Sequence, residues 1–140
     1  MNEDPVFADW IVEQVADALI CADRSGNIVR WNEAASQLFG FSATEALGSS
    51  LDLIIPEHLR APHWAGFNAA MHSGKLTLQG RPTLTRALHK SGSKLYVEMT
   101  FALVRDPQGV AIASVAMARD VTEKLQKERA ARIAQSQKAT

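Results

Sequence analysis

His63 is the one polar member of an otherwise apolar helical stripe. In the stretch IIPEHLRAPHWAGFNAAMHSGKLTLQGR, residues 54 to 81, Leu59, His63, Phe67, Ala70 and Met71 recur at helical spacing and share a face. An imidazole on such a face has two chemistries open to it. It is either a core histidine bonded to a buried acceptor, or a ligand to something held in a cavity, most directly an iron. His58 and His72 project from other faces, and His72 at the helix end reads as a partner of the C-terminal dipole. There is no Ser-His-Asp arrangement, phosphate loop, CxxC or HExxH motif. The chain therefore does not read as an enzyme.

Composition sets the bounds on that reading. The 140 residues suit one domain with a core and a tail, at 46% apolar and 21% charged residues. Lys plus Arg and Asp plus Glu number 15 each, so no overall field favours nucleic acid or an acidic surface. The single cysteine, Cys21, excludes an internal disulfide framework and suits a reducing compartment. The N-terminus MNEDPVFADW lacks a secretory leader pattern, and no apolar run is long enough to cross a bilayer. A cytoplasmic protein is the expectation.

The elements that must position His63 follow in order. Asp4-Pro5 opens a helix whose Phe7, Trp10, Ile11 and Val15 form an apolar stripe needing a partner. ALICAD (18–23) and NIVRW (27–31) flank Arg24-Ser25-Gly26 as a hairpin. Asn32 caps a helix that Gly40 stops, and Ser42-x-x-Glu45 is a capping box for a second short helix ending at Gly48. A brief apolar turn over 51–55 meets Pro56, and the His63 helix runs from Glu57 or His58 to Ser73, stopped by Gly74. Beyond it the period changes to that of strands, over 76–88, 94–104 and 110–120, separated by the turns HKSGS and DPQG. Pro82 assigns the first of these to a sheet edge. The result is an α+β domain with a five-stranded antiparallel sheet. From Val121 the chain is polar and helix-forming, with only a thin stripe of Val121, Leu125 and Ile133, too weak for a stable helix alone.

Taken in order, these pieces resemble a PAS domain. The resemblance rests on Gly26-Asn27-Ile28-Val29, Trp31-Asn32-Glu33-Ala34-Ala35, Leu38-Phe39-Gly40-Phe41, Glu45, Gly48 and Ile55-Pro56. It continues in Lys90-Ser91-Gly92-Ser93 and the closing Arg119-Asp120-Val121-Thr122-Glu123, and covers roughly residues 8 to 123. It implies a PAS fold with helices crossing one face of the sheet around a small-molecule cavity, and sensing as the role. The domain division it implies is an N-terminal amphipathic helix (1–16), a sensor domain (17–120) and a signalling helix (121–140) leading to an output domain such as a kinase, a cyclic-dinucleotide enzyme or a DNA-binding regulator of transcription.

Within that family, Ile55-Pro56-Glu57-His58-Leu59-Arg60-Ala61-Pro62-His63 resembles the haem-binding oxygen sensors, both the sensor kinases of nitrogen fixation and the direct oxygen sensors. The resemblance implies haem b with His63 as the ligand to iron. A distal arginine of the nitrogen-fixation sensors falls at Thr83 here, and Arg81 stands where the direct oxygen sensors carry a distal methionine. Strand period puts 81 and 83 on one face, so Arg81 either reaches the distal space or lies in solvent at the sheet edge. Ala69 and Ala70 stand where propionate partners are expected. Leu59, Phe67, Met99 and Met117 are the expected pocket wall. A flavin photosensor needs a reactive cysteine between Leu38 and Pro56, and there is none; Cys21, in the first strand, reads as inert core packing. The competing reading is a PAS module that takes another small organic ligand, or none, and serves as a dimerisation and relay element. Either way a homodimer through the N-terminal or exit helix is expected, with no direct nucleic-acid contact and no membrane segment.

Overall fold

A computed structural model describes residues 5–76 and 80–138. The chain begins with α1 (Pro5–Gln14) and the hairpin β1 (Ala18–Asp23) and β2 (Ile28–Trp31). The short helices α2 (Glu33–Phe39) and α3 (Ala43–Ala46), a 3-10 turn (Leu51–Ile54) and α4 (Glu57–Ser73) lead to β3 (Thr83–Leu88), β4 (Lys94–Arg105) and β5 (Ala111–Asp120). The exit helix α5 spans Thr122–Lys138. The sheet has the order β2-β1-β5-β4-β3, and every pair is antiparallel. The two halves of the chain thus meet at β1 and β5, with the helices inserted between β2 and β3 in sequence.

Register decides which side chains face the helices. Ile20 pairs with Ala116 and Ala18 with Ala118, while Met99 pairs with Ala118 and Phe101 with Ala116. These residues form one face with Val97 and Ala87, and they join Trp31, Phe39, Leu51 and Ile54 in the main core. Alanines at four of those sheet positions, 18, 87, 116 and 118, leave room for the large rings above them. Phe39 is fully buried and lies 5.5 Å from the Trp31 ring, centroid to centroid. The Trp31 indole N–H is shared by Ser36 Oγ and the Phe41 carbonyl, which satisfies it inside the core.

Asn32 is the node of the N-terminal half. The sequence assigns it to the N-cap of α2, and its Oδ1 accepts from Ala35 N–H at 3.0 Å. The same oxygen accepts from Leu19 N–H at 2.9 Å, and Nδ2 donates to the carbonyls of Val12 and Asp17 at 3.0 and 3.1 Å. One buried amide therefore ties α1, β1 and α2 together. The capping box at Ser42 and Glu45 forms in both directions. Lys90 Nζ then meets the free oxygen of Glu45 at 2.6 Å, and the lysine and Ser42 hold that carboxyl below the usual range. The turn between β3 and β4 is docked in this way against α3.

The strand expected over 76–88 is shorter than its sequence pattern. It begins at Thr83, with residues 80–82 outside any strand and 77–79 outside the described residues. Gly80 has a left-handed backbone in a turn, and Pro82 offers no N–H to extend the ladder beyond Thr83.

Candidate functional site

α4 carries the site because its stops are strong and its covered side is narrow. Pro56 precedes it, Gly74 ends it with a left-handed backbone whose N–H donates to the Ala70 carbonyl, and Arg105 caps the Gly74 carbonyl. Ala70 and Met71 are buried, Leu59, His63 and Phe67 are half-buried, and Glu57, His58, Ala61, Ala65, Ala69 and His72 are exposed. Arg60 and Trp64 widen the covered side towards the start of the sheet. His72 stands exposed in the last turn.

The His63 ring is set among rings. It lies 4.7 Å from Trp64 in an edge-on arrangement and 5.9 Å from Phe67, and those two are themselves 5.2 Å apart. Its Nδ1 is buried and has no hydrogen-bond partner among the described residues. An imidazole nitrogen in that condition carries a desolvation cost that nothing within the chain returns. Burial holds the imidazole pKa below the ordinary histidine value, opposed by the nearby Asp52 charge. The ring is therefore held in its neutral form, the form in which an imidazole can offer a lone pair.

Asp52 organises the N-terminal end of the site, and sequence reasoning did not single it out. Its Oδ1 accepts from the Trp64 indole N–H at 2.7 Å, and Arg60 Nε lies 3.8 Å from the same oxygen. Arg60 also donates to the carbonyls of Ile55 and Asp52. Trp64 packs against the core, and it does so over Gly26. A Cβ on Gly26 would lie 2.2 Å from the indole ring, and its φ of +82° is already one that side chains rarely adopt. The contact joins residues far apart in the chain and with no shared period, so no local signal marks it.

The remaining pocket residues divide. Met99 is buried on the core side of β4. Met117 pairs with Thr100 and Leu19, one position out of register from Met99 and Ala118, so it lies on the opposite face of the sheet. The expectation that Met99 and Met117 frame one cavity is corrected by that register. Arg81 is exposed and lies ahead of β3, so the strand period expected to align it with Thr83 does not apply. Cys21, expected as inert core packing, lies instead half-buried on the outer face opposite Val115, because strand alternation gives the core face to Ile20 and Ala22; burial pushes its thiol pKa up. Among the surface clefts of the described residues are one of about 430 Å³ between the end of α4 and β4 and one of about 380 Å³ between α1 and β2. Lys75, Phe101, Leu103 and Arg105 line the first, and Asp9, Val12, Arg30 and Leu47 the second.

A five-stranded antiparallel sheet with helices across one face defines a class of sensory domain. The family model described as PAS fold matches residues 12–126, and the chain belongs to that family. Among characterised relatives, it is 26% identical over 126 residues to the oxygen sensor protein DosP of Escherichia coli, a match covering 89% of this chain and 15% of the relative. It is 38% identical over 53 residues to the sensor protein FixL of Bradyrhizobium diazoefficiens, covering 38% of this chain and 10% of that one. The chain thus spans a small part of the length of these relatives. A PAS domain from Colwellia psychrerythraea superimposes with a TM-score of 0.73 at 19% identity, over 84% of this chain and 97% of that one. An RNA-binding light-oxygen-voltage receptor gives 0.73 at 22% identity, over 94% and 37%. These similarities establish the fold and the sensory class of the domain. No helix among the described residues is long and apolar enough to cross a membrane.

Proposed function

We propose that the chain is the ligand-sensing module of a signalling protein, and that the ligand is haem b held through His63. The observation that carries this reading is the buried, partnerless Nδ1 of a neutral imidazole on the covered side of α4. Such an atom is costly in a protein that keeps it for packing alone and useful in one that receives a guest. The similarity to an oxygen sensor over 89% of the chain points the same way. His63 would hold the iron, with Leu59, Phe67 and Met99 offering apolar surface to the haem. When bound, haem supplies reversible binding of a diatomic gas or a change of iron oxidation state. The chain's own contribution is a neutral imidazole, an apolar surround, and Trp64 and Phe67 rings that must turn aside to admit a flat guest. Arg81, ahead of β3, is proposed as the donor towards the gas.

A second reading has its own support. Trp64 and Phe67 flank the imidazole closely, and neither surface cleft is lined by His63. A smaller organic ligand, or none, would suit that packing, with the domain acting chiefly in dimerisation and relay. In either case the proposed organisation is the same: residues 1–16 as a pairing helix, 17–120 as the sensor and 121–140 as the link to an output domain. Exposed Phe7, Trp10 and Ile11 on α1 support pairing with a second copy, and a cytoplasmic setting accords with one half-buried free thiol. Addition of equimolar haem to wild type and His63→Ala separates the readings. A Soret shift in wild type and its loss in the variant is expected. No shift in wild type overturns the haem assignment.

A further inference from the structure

Tyr96 is the only tyrosine of the chain. It stands near the start of β4 beside Val97, and strand alternation sends the two to opposite faces. Val97 is fully buried in the core, while Tyr96 lies on the outer face. Its antiparallel partner is Arg86 on β3, whose guanidinium lies 5.8 Å from the ring centroid. A second guanidinium, that of Arg129 about two turns into α5, lies at 5.1 Å, and its Nη1 donates to the phenol oxygen at 3.5 Å. Both distances are within cation–π range.

The backbone of the same residue holds the first turn of α5. Tyr96 N–H donates to Thr122 Oγ1 at 2.9 Å, that hydroxyl donates back to the Tyr96 carbonyl, and Val121 N–H donates to the same carbonyl at 2.9 Å. Asp120 Oδ1 caps the turn by accepting from Thr122 N–H. None of the 17 residues of the helix is buried. A polar helix of that length is marginal alone, so its direction is fixed where it is held, over residues 121–129.

We propose that Tyr96 is the positioning residue that sets the direction of the exit helix, converting displacement of β4 on the core side into movement of α5 on the other. Its neighbour Val97 touches the interior and Tyr96 itself touches the helix, so one short stretch of strand spans both. The two arginines converge on one ring and repel each other, which leaves the hold adjustable. The charged groups that act on the phenol are Arg129 of α5, Arg86 of β3 and Lys94 of β4; hydrogen bonding and charge from Arg129, chiefly, hold its pKa below the usual phenol value. That the helix carries a signal rests on the reading above, whereas the hold on the helix is a property of the domain with or without a ligand.

Two measurements without haem test it. Because Tyr96 is the sole tyrosine, its phenolate absorbance reports this one ring. Arg129→Gln should raise the titration midpoint; an unmoved midpoint overturns the pairing of Arg129 with the phenol. Spin labels at Gln108 and Gln135, in a Cys21→Ser background, then read the direction of α5. Wild type and Tyr96→Phe should give one narrow distance distribution. Tyr96→Leu should broaden or shift it, the ratio of held to released helix falling about two- to fivefold as the Arg129 guanidinium loses the ring it rests on. A Tyr96→Leu distribution matching wild type overturns the proposal. Should Tyr96→Leu fail to fold, Arg129→Gln, a change on the exposed helix, decides by the same distance. Loss of haem binding would leave both readouts unchanged.

Discussion

Replacing Asn32 by alanine should cost far more than the loss of a helix cap. The amide is 1% exposed and makes four hydrogen bonds, two accepted by Oδ1 from Leu19 and Ala35 and two donated by Nδ2 to Val12 and Asp17. The partners fix the orientation of the group, because two N–H donors require the oxygen and two carbonyls require the nitrogen. At about 1 kcal/mol net for each bond, removal costs about 4 kcal/mol, against about 1 for an exposed cap. An entropy of unfolding of about 2.1 cal/mol/K per residue turns 4 kcal/mol into a fall in Tm of about 14 °C for a chain of this length. Asn32→Asp is the informative companion. It keeps the two accepted bonds but turns a carboxyl oxygen towards two carbonyls, so the buried acid is disfavoured in its charged form and its folded pKa is raised above the unfolded value near 3.9. Its stability should therefore be greatest at low pH and be lost as pH rises. Urea melts of both variants at about pH 4 and pH 7 give the comparison. An alanine variant within about 1 kcal/mol of wild type, or an aspartate variant with no loss on raising pH, would refute the idea that this amide joins α1, β1 and α2.

His63→Leu removes a buried, unpartnered nitrogen and should stabilise the ligand-free domain by about 1 kcal/mol in urea melts. The unfolded chain protonates this histidine near pH 6.5 while burial keeps the folded one neutral to lower pH, so wild type loses stability as pH falls through that window and the leucine variant should lose less; equal slopes count against a buried neutral imidazole. Gly26→Ala forces a Cβ into the Trp64 ring and strains a left-handed backbone that alone costs about 1–2 kcal/mol, so both stability and the buried character of tryptophan fluorescence should fall. An alanine variant as stable as wild type would show that Trp64 does not rest on Gly26. On α1, Phe7→Ser with Trp10→Ser should shift the protein towards monomer in light scattering, and an unchanged mass would remove the case for pairing through this helix.

Much of the fold is legible in the sequence because its punctuation is local. Gly40 and Gly74 stop their helices with left-handed backbones, the Ser42 capping box closes, and the turns at HKSGS and DPQG join antiparallel strands. Helical period likewise gives the covered side of α4 and the place of His63. What is illegible depends on distance along the chain. The strand period of β5 puts Met117 on one of two faces, and only its pairing with β1 and β4 decides which. The shortening of β3 turns on which N–H groups find partners beyond Thr83, and the placement of Arg81 goes with it. Asp52 and Gly26 meet Trp64 across the fold without any shared period, and Tyr96 meets α5 in the same way. Such meetings are set by how the helices settle on the sheet, a level at which a single sequence carries no periodic signal.

The most direct measurement of the ligand site is the nitrogen NMR spectrum of the histidine rings, taken with and without one equivalent of haem. The chain has four histidines, which keeps the spectrum assignable by single substitutions. In the free protein His63 should appear as a neutral ring whose Nδ1 shows no hydrogen-bond shift, down to a pH below the ordinary histidine value. Haem should then remove or displace the His63 signals while sparing those of His58, His72 and His89. Perturbation of another histidine in its place, or four rings unchanged by haem, would contradict the assignment of His63 as the residue that holds the ligand.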